Sequence, residues 1–423
     1  MPTFPTNLDL LTDFASFLRY LESKPTLPLT GAGDLKGTDL YALNERVNLK
    51  TPFAVTARSR LADYPLLAFL FEIVTAGRMA VVQYGKVNTL TLDAVRIDAY
   101  WSLTKEEQYV FLLETAWCYV DWGMLDGDGR SGHGANWFQQ GFREVLKYPV
   151  GTPIMLYDSR ESKPAPPALF VPFMANIYIR AGEWFGWYDL RERHQPKRDK
   201  YSLAFDQLTL TDWGQQCLPV LLHERPFQLW NKQAGDYLFF GDASENDDEP
   251  EPVDISAFAE LFRGLLDEPE LLSLYPINPH ANKGVFWLKV ELPNHQVSRT
   301  IALPATMTLD DLHVQIQDAF KFDDDHLYHF YRPAARLNPR NPYSGEQYIC
   351  PDEADWSDYP TADSVALAQL NLYVGQRLLY IFDLAESWEF WITVVRHLPD
   401  DTSTVARIVE KVGRAPKQYP NGW

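Results

Sequence analysis

Twelve consecutive residues, Gly241 to Pro252, contain no apolar side chain larger than alanine apart from their two prolines, and they divide this chain. The stretch GDASENDDEPEP repels itself electrostatically, and its prolines lack N–H donors. Such a segment cannot bury enough surface to offset the entropy of ordering it. It therefore joins no core, and residues 242–254 are read as an acidic linker. With 423 residues in all, more than one domain is expected around it.

Charge is distributed unevenly about this divide. The chain carries a formal charge of −19, but residues 1–241 contribute only −3 and residues 277–423 only −6. The remaining −10 lies in residues 242–276. The near-neutral first region can hold a local basic patch, so overall acidity does not exclude nucleic acid as a partner. The N-terminus, Met-Pro-Thr-Phe-Pro, lacks the basic start and apolar stretch of a signal peptide. The longest apolar run, Ala168 to Ile179, ends at Arg180 and Glu183, short of the roughly 20 residues a bilayer requires. Cys118, Cys217 and Cys350 are far apart and odd in number, which fits buried small hydrophobes rather than disulfides or a zinc site. A cytoplasmic protein without membrane spans, cofactor or metal is expected.

The first region reads as mainly helical. Leu8, Leu11, Phe14, Leu18 and Leu21 recur at helical spacing behind an Asn7 cap. A turn from Pro25 to Gly33 precedes a short helix carrying Leu40 and Leu43, and a third helix runs from about Ala62 to Thr75. Two β-prone runs, Met79–Gln83 and Thr89–Thr91, flank Gly85 and Asn88 as a hairpin. Thr104 with Glu107 forms a capping box that opens a strong helix. Ile255 to Tyr275 reads as a further helix bearing Phe258, Leu261, Phe262 and Leu265.

Beyond Asn278 the pattern changes to α+β. Val285 to Val290 is a strand covered on both sides, followed by a strand from Arg299 to Leu303. Thr308 with Asp311 caps a helix whose inner face carries Leu309, Leu312 and Ile316. A strand at Leu327–Tyr331 and a closing pair, Arg377–Phe382 and Phe390–Val395, complete it.

Two resemblances sharpen these expectations. Three helices followed by a hairpin, with Lys24–Thr30, Gly31, Gly33, Leu35 and Leu40, resemble winged-helix modules attached to some DNA helicases. Leu208-Thr209-Leu210-Thr211-Asp212-Trp213-Gly214 is similar to the end of a second such module. The last third resembles the plasmid pRiA4b ORF-3-like family. Thr308-Leu309-Asp310-Asp311-Leu312-His313 with Ala319-Phe320 is similar to its helix motif, and His326-Leu327-Tyr328-His329-Phe330 to its strand motif. Tyr380 to Phe390 resembles its closing hairpin. Ala385, Glu386 and Phe390 stand where the family has Gly, Asp and His, and Tyr328 replaces a second His. The resemblance implies an α+β fold, a plasmid setting and no defined activity. The expected organisation is winged-helix-like units at 1–125 and 126–241, the linker, a connecting helix at 255–276, and an α+β domain with a mixed or antiparallel sheet at 277–423.

Chemistry-bearing residues concentrate near the end of the chain. Asp383 and Glu386 could work as an acid–base pair with Trp388 beside them, or could shape a tight hairpin. Asp325, His326 and His329 form a polar cluster, though histidines three apart point to opposite strand faces. Arg191, Arg193, Lys197, Arg198 and Lys200, just after Trp184, Trp187 and Tyr188, are the nucleic-acid contact candidates. Gly31, Gly33 and Gly37 miss dinucleotide-loop spacing by one, and Asp126–Arg130 breaks a calcium loop at Arg130. His223-Glu224 lacks the second histidine of a metalloprotease motif. These observations favour a non-enzymatic interaction protein with a protein partner, an accessory of a plasmid or mobile element. The alternatives are a DNA-binding accessory and, as an outsider, a hydrolase using Asp383 and Glu386.

Overall fold

The computed structural model describes residues 4–5, 8–24, 26–51, 54–126, 141–157, 168–170, 176–193, 204–222, 231, 258–266, 271–333, 343, 345–357 and 359–419. The acidic linker, Asn7, residues 127–130 and His223-Glu224 lie outside them. Two compact units emerge, one spanning Met1–Leu274 and the other Tyr275–Leu337 with Pro342–Trp423. Among the described residues no helix is long and apolar enough to cross a membrane.

In the first unit, α1 (Asp9–Glu22) buries Leu11, Phe14, Leu18 and Leu21 on one face, as their spacing requires. Its N-cap is Leu8, without a side-chain hydrogen bond. Then come β1 (Leu27–Pro28), α2 (Gly37–Asn44), α3 (Pro65–Ala76), β2 (Ala80–Gln83) and β3 (Thr89–Leu92). The expected hairpin is present, and β1 joins it to give an antiparallel sheet ordered β1-β3-β2. Asp93 caps α4 (Ala94–Trp101), its side chain accepting from the Arg96 N–H. The Thr104–Glu107 box closes reciprocally at the head of α5 (Lys105–Glu114), which widens into a π-helical segment, Thr115–Tyr119.

After α6 (Trp122–Asp126), β4 (Pro153–Tyr157) and β5 (Ala168–Phe170) precede α7 (Asn176–Trp184). A hairpin of β6 (Tyr188–Glu192) and β7 (Phe205–Leu210) leads into α8 (Asp212–Leu222). The strand order is β5-β4-β7-β6. The Tyr109 hydroxyl ties this half together: it donates to the Phe185 carbonyl at 3.0 Å and accepts from the indoles of Trp187 and Trp213 at 3.1 and 2.9 Å. Gly214 permits the approach of α8, since a Cβ there would lie 1.8 Å from the Trp187 carbonyl oxygen. The three cysteines are buried and free.

The helix expected across 255–276 does not form in the described residues. Ala259–Phe262 is a single 3-10 turn burying Phe258 and Phe262, and Leu271–Leu274 has no regular structure. In the sequence Pro269, which cannot donate a helical hydrogen bond, lies between these two stretches. Residues 272–274 instead attach to α4 and α5. The Leu272 N–H donates to Glu107, the Ser273 hydroxyl to Glu114, and the Leu274 carbonyl accepts from Arg96, each at 2.9 Å.

The second unit is a seven-stranded antiparallel sheet with a helix on one face. Its elements are β8 (Val285–Leu292), β9 (Val297–Pro304), α9 (Leu309–Phe320), β10 (Tyr328–Arg332), β11 (Glu346–Ile349), β12 (Arg377–Phe382), β13 (Trp388–Leu398) and β14 (Arg407–Val412). They are ordered β11-β10-β12-β13-β8-β9-β14. Leu309, Leu312, Ile316 and Phe320 of α9 join one core with Leu288, Val290, Tyr380, Phe382, Phe390 and Ile392 of the sheet. The Thr308–Asp311 box forms as its sequence requires.

Candidate functional site

The β10–β12 register, with Tyr328 opposite Phe382, brings the turn after α9 beside the β12–β13 hairpin. That turn begins at Lys321, whose left-handed backbone (φ 62°) ends the helix. The Asp383 N–H donates to the Leu327 carbonyl at 3.0 Å, fixing the two loops together. Asp383 is buried at 2% exposure and itself has positive φ (54°). Its Oδ1 accepts from the N–H groups of Ala385 and Glu386 at 3.1 and 3.2 Å, closing the hairpin. Its Oδ2 faces His326 Nε2 at 3.7 Å, and Asp325 Oδ2 lies 3.9 Å from the same nitrogen. Gln418 and Tyr419 each donate to Asp325 Oδ1 at 3.0 Å.

Beneath this surface cluster runs a buried relay. His313, on the inner face of α9, stacks on Tyr328 with ring centroids 3.8 Å apart. Its Nδ1 meets the Tyr380 hydroxyl at 2.7 Å, and its Nε2 meets Asp324 Oδ1 at 2.9 Å. Gln317 donates to the same hydroxyl at 2.7 Å, so the Tyr380 proton points to Nδ1 and the imidazole proton sits on Nε2, facing Asp324. Burial holds the imidazole below its usual pKa, with Asp324 and Asp310 pulling the other way. Tyr328 donates to Asp310, and burial followed by that carboxylate pushes its phenol well above the ordinary range. The relay fastens α9 to β10 and β12.

The structure brings Asp383, Asp325 and His326 together but separates His329 from them. His326 precedes β10 rather than lying on it, so the strand-face argument does not apply to this residue. His329 lies on β10, where its Nε2 contacts Glu353 at 2.7 Å and its Nδ1 the Tyr331 hydroxyl at 3.3 Å. Glu386 is exposed, and Trp388 packs at 5.0 Å against Phe322 and 5.5 Å against His295. Among the described residues there is no group of three or more His, Cys, Asp or Glu side chains that could hold a metal ion. Of the basic group, Arg191 pairs with Asp206 at 2.6 Å and Arg193 donates to the Phe205 carbonyl at 3.0 Å across the β6–β7 hairpin. Lys197, Arg198 and Lys200 lie outside the described residues.

Sequence reasoning missed the relay itself. The i, i+4 pair His313 and Gln317 on the apolar face of a capped helix was its one local signal, since buried polar side chains on such a face need partners.

No curated protein matches the chain. A crystal structure of a protein of unknown function from Methanosarcina mazei Go1 is similar at 20% identity, covering 33% of this chain and 75% of that one. Its TM-score of 0.27 is too low to carry any statement about shared fold. Residues 285–420, which contain the relay, the His326 cluster and the closing hairpin, match the family described as plasmid pRiA4b ORF-3-like protein.

Proposed function

We propose that the protein is a non-enzymatic interaction protein whose first unit is a docking scaffold of two winged-helix-like modules, residues 1–125 and 126–241. The order helix, strand, helix, helix, hairpin with sheet order β1-β3-β2 supports the first module. Strand β4, helix α7 and the β6–β7 hairpin, ordered β4-β7-β6 within their sheet, support the second.

The observation that carries the docking reading is the burial of α3, the helix that would enter a DNA groove in such a module. All residues from Leu66 to Ala76 except Ala68 are buried. Its Phe69 packs on Trp184 and Phe185 of the second module at ring distances of 5.1 and 6.0 Å. The groove-reading face is thus occupied by the other half of the same unit, while a DNA reader must leave it free. The occupied Arg191 and Arg193 point the same way. The loop-closing role of Asp383 Oδ1 likewise favours a hairpin cap over a hydrolytic pair with Glu386. The plasmid setting in the matched family's name supports a role beside a mobile element.

Fluorescence anisotropy with labelled duplex and single-stranded DNA at low and physiological salt tests this reading. Absence of saturable binding at physiological salt is expected. Tight binding that weakens steeply with salt and disappears when Arg191 and Arg193 are changed to Gln would replace it with the DNA-accessory reading.

A further inference from the structure

The loop that follows β11, an edge strand of the seven-stranded sheet, carries the most exposed aromatic side chain among the described residues. Trp356 is 80% exposed. Its backbone, by contrast, is fixed by hydrogen bonds. Pro351–Glu353 forms a 3-10 turn, and the N–H groups of Ala354 and Trp356 donate to the Pro351 and Glu353 carbonyls at 3.1 and 3.0 Å. The Ile349 N–H donates to the Pro360 carbonyl at 3.1 Å, closing the loop at its base. Glu353 meets His329 of β10 at 2.7 Å, with both side chains mostly buried. A tryptophan held out in water on a fixed turn contributes little burial to the fold. It is a frequent anchor in protein interfaces, and a preformed turn lowers the entropy lost on docking.

The surroundings of Trp356 are acidic and aromatic. From Glu346 to Gln376 the chain has six carboxylates and no Lys, Arg or His. Glu346 is taken by Arg332 at 2.7 Å, and Glu353 by His329. Asp352 and Asp355, in the same turn as Trp356, are exposed and make no ion pair among the described residues. Behind the turn stands Tyr331, whose phenol is pushed up to about 12 by burial first and then by Tyr359, Tyr343 and Glu353. The Tyr331 and Tyr343 rings lie 5.6 Å apart, and Tyr343 is also exposed. Unpaired carboxylates and aromatic rings thus adjoin one another at this edge of the sheet.

We propose that this turn docks a segment of a partner protein rich in Lys and Arg. The partner's guanidinium or ammonium groups lie over the Trp356 ring and pair with Asp352 and Asp355, so the same cations meet ring and carboxylate. Nucleic acids and anionic membranes are repelled by the same charge. A second copy of the chain, at −19 overall, is a poor occupant for the same reason. The proposal rests on the interaction reading above and gives the partner its charge.

Fluorescence anisotropy of the full chain at physiological salt, with a labelled peptide of alternating Arg and Gly, tests the site beside the same peptide carrying Glu for Arg. Saturable binding of the Arg peptide alone is expected. Trp356→Ala alters no charge and, at 80% exposure, no core, so it should weaken binding about tenfold without loss of folding. Asp352→Asn combined with Asp355→Asn should weaken it by about the same factor, less so as salt rises. Unchanged affinity in Trp356→Ala overturns the proposal, since the peptide would then be held by acidic residues elsewhere. Failure of the Arg peptide to saturate overturns it as well. Sedimentation should show no self-association that Trp356→Ala removes; finding one would assign the turn to a second copy and overturn the basic partner. Salt-sensitive DNA binding through Arg191 and Arg193 would unseat the interaction reading and leave the Trp356 effect standing, so the two fail separately.

Discussion

Glu114 is a carboxylic acid held out of water. It is fully buried at the junction of α5 and the π-helical segment, with one oxygen accepting from Ser273 and Oε1 lacking a partner among the described residues. Burial raises its carboxyl to about 8, opposed by the Ser273 bond and by Arg96. A folded-state value above the unfolded one means that stability is full below the unfolded value of 4.5 and is lost progressively as pH rises to about 8. Glu114→Gln should therefore stabilise the first unit at pH 8, by up to roughly 5 kcal/mol, and do little near pH 4. Thermal melts of both proteins across that range check this, and a constant difference would refute it. His313 has the opposite sign. Its folded value lies below 6.5, so its contribution is intact above pH 6.5 and falls away as pH drops through the folded value. Denaturant titrations should show an acid-linked loss of stability that His313→Gln removes, and its persistence in the variant would assign it elsewhere.

Helices and hairpins in this protein are set by caps as much as by apolar faces. The boxes at Thr104 and Thr308 each satisfy donors at both ends of a single turn, and both helices begin where those residues stand. The β12–β13 hairpin uses an aspartate for the same purpose, with positive φ at both Asp383 and Ser387. Two substitutions separate its structural role from a chemical one. Asp383→Ala strands the Ala385 and Glu386 N–H groups and should lower stability by about 1–3 kcal/mol. Asp383→Asn keeps an accepting oxygen in place and should cost less than half as much in urea unfolding. Equal losses from the two would mean that the carboxylate charge beside His326, and not the loop bonds, holds the hairpin. The long stretch before Tyr275 shows where periodicity misleads: apolar residues at helical spacing were present, yet the described residues form a single 3-10 turn at Ala259–Phe262, and residues 272–274 bond to α4 and α5 instead.

At the level of the whole molecule, the buried core of the second unit is drawn, among the described residues, from 281–394, with Ala406, Ile408 and Ala415 packed against it. The fragment Tyr275–Trp423 should accordingly fold by itself, with dispersed amide resonances and one cooperative thermal transition. A molten product would show that its packing depends on the preceding residues. In the first unit the same reasoning opposes division, because α3 of one module packs its Phe69 against Trp184 and Phe185 of the other. Residues 1–125 expressed alone would expose that apolar face and should aggregate.

What the sequence determined by itself was whatever rests on neighbours three or four residues apart, or on composition. The composition of residues 241–252 set the expected division of the chain, α1 and α9 followed from their apolar spacing, and the boxes at Thr104 and Thr308 marked their helices. The motifs around His313, His326 and Tyr380 pointed to the family matched by residues 285–420. Tertiary structure decided what depends on pairs distant along the chain. His313 meets Tyr380 across 67 residues, and Arg96 meets Leu274 across 178. No local pattern encodes which side chain will stand opposite another once sheets and helices pack. The burial of α3 from Leu66 to Ala76, Ala68 excepted, follows from that packing.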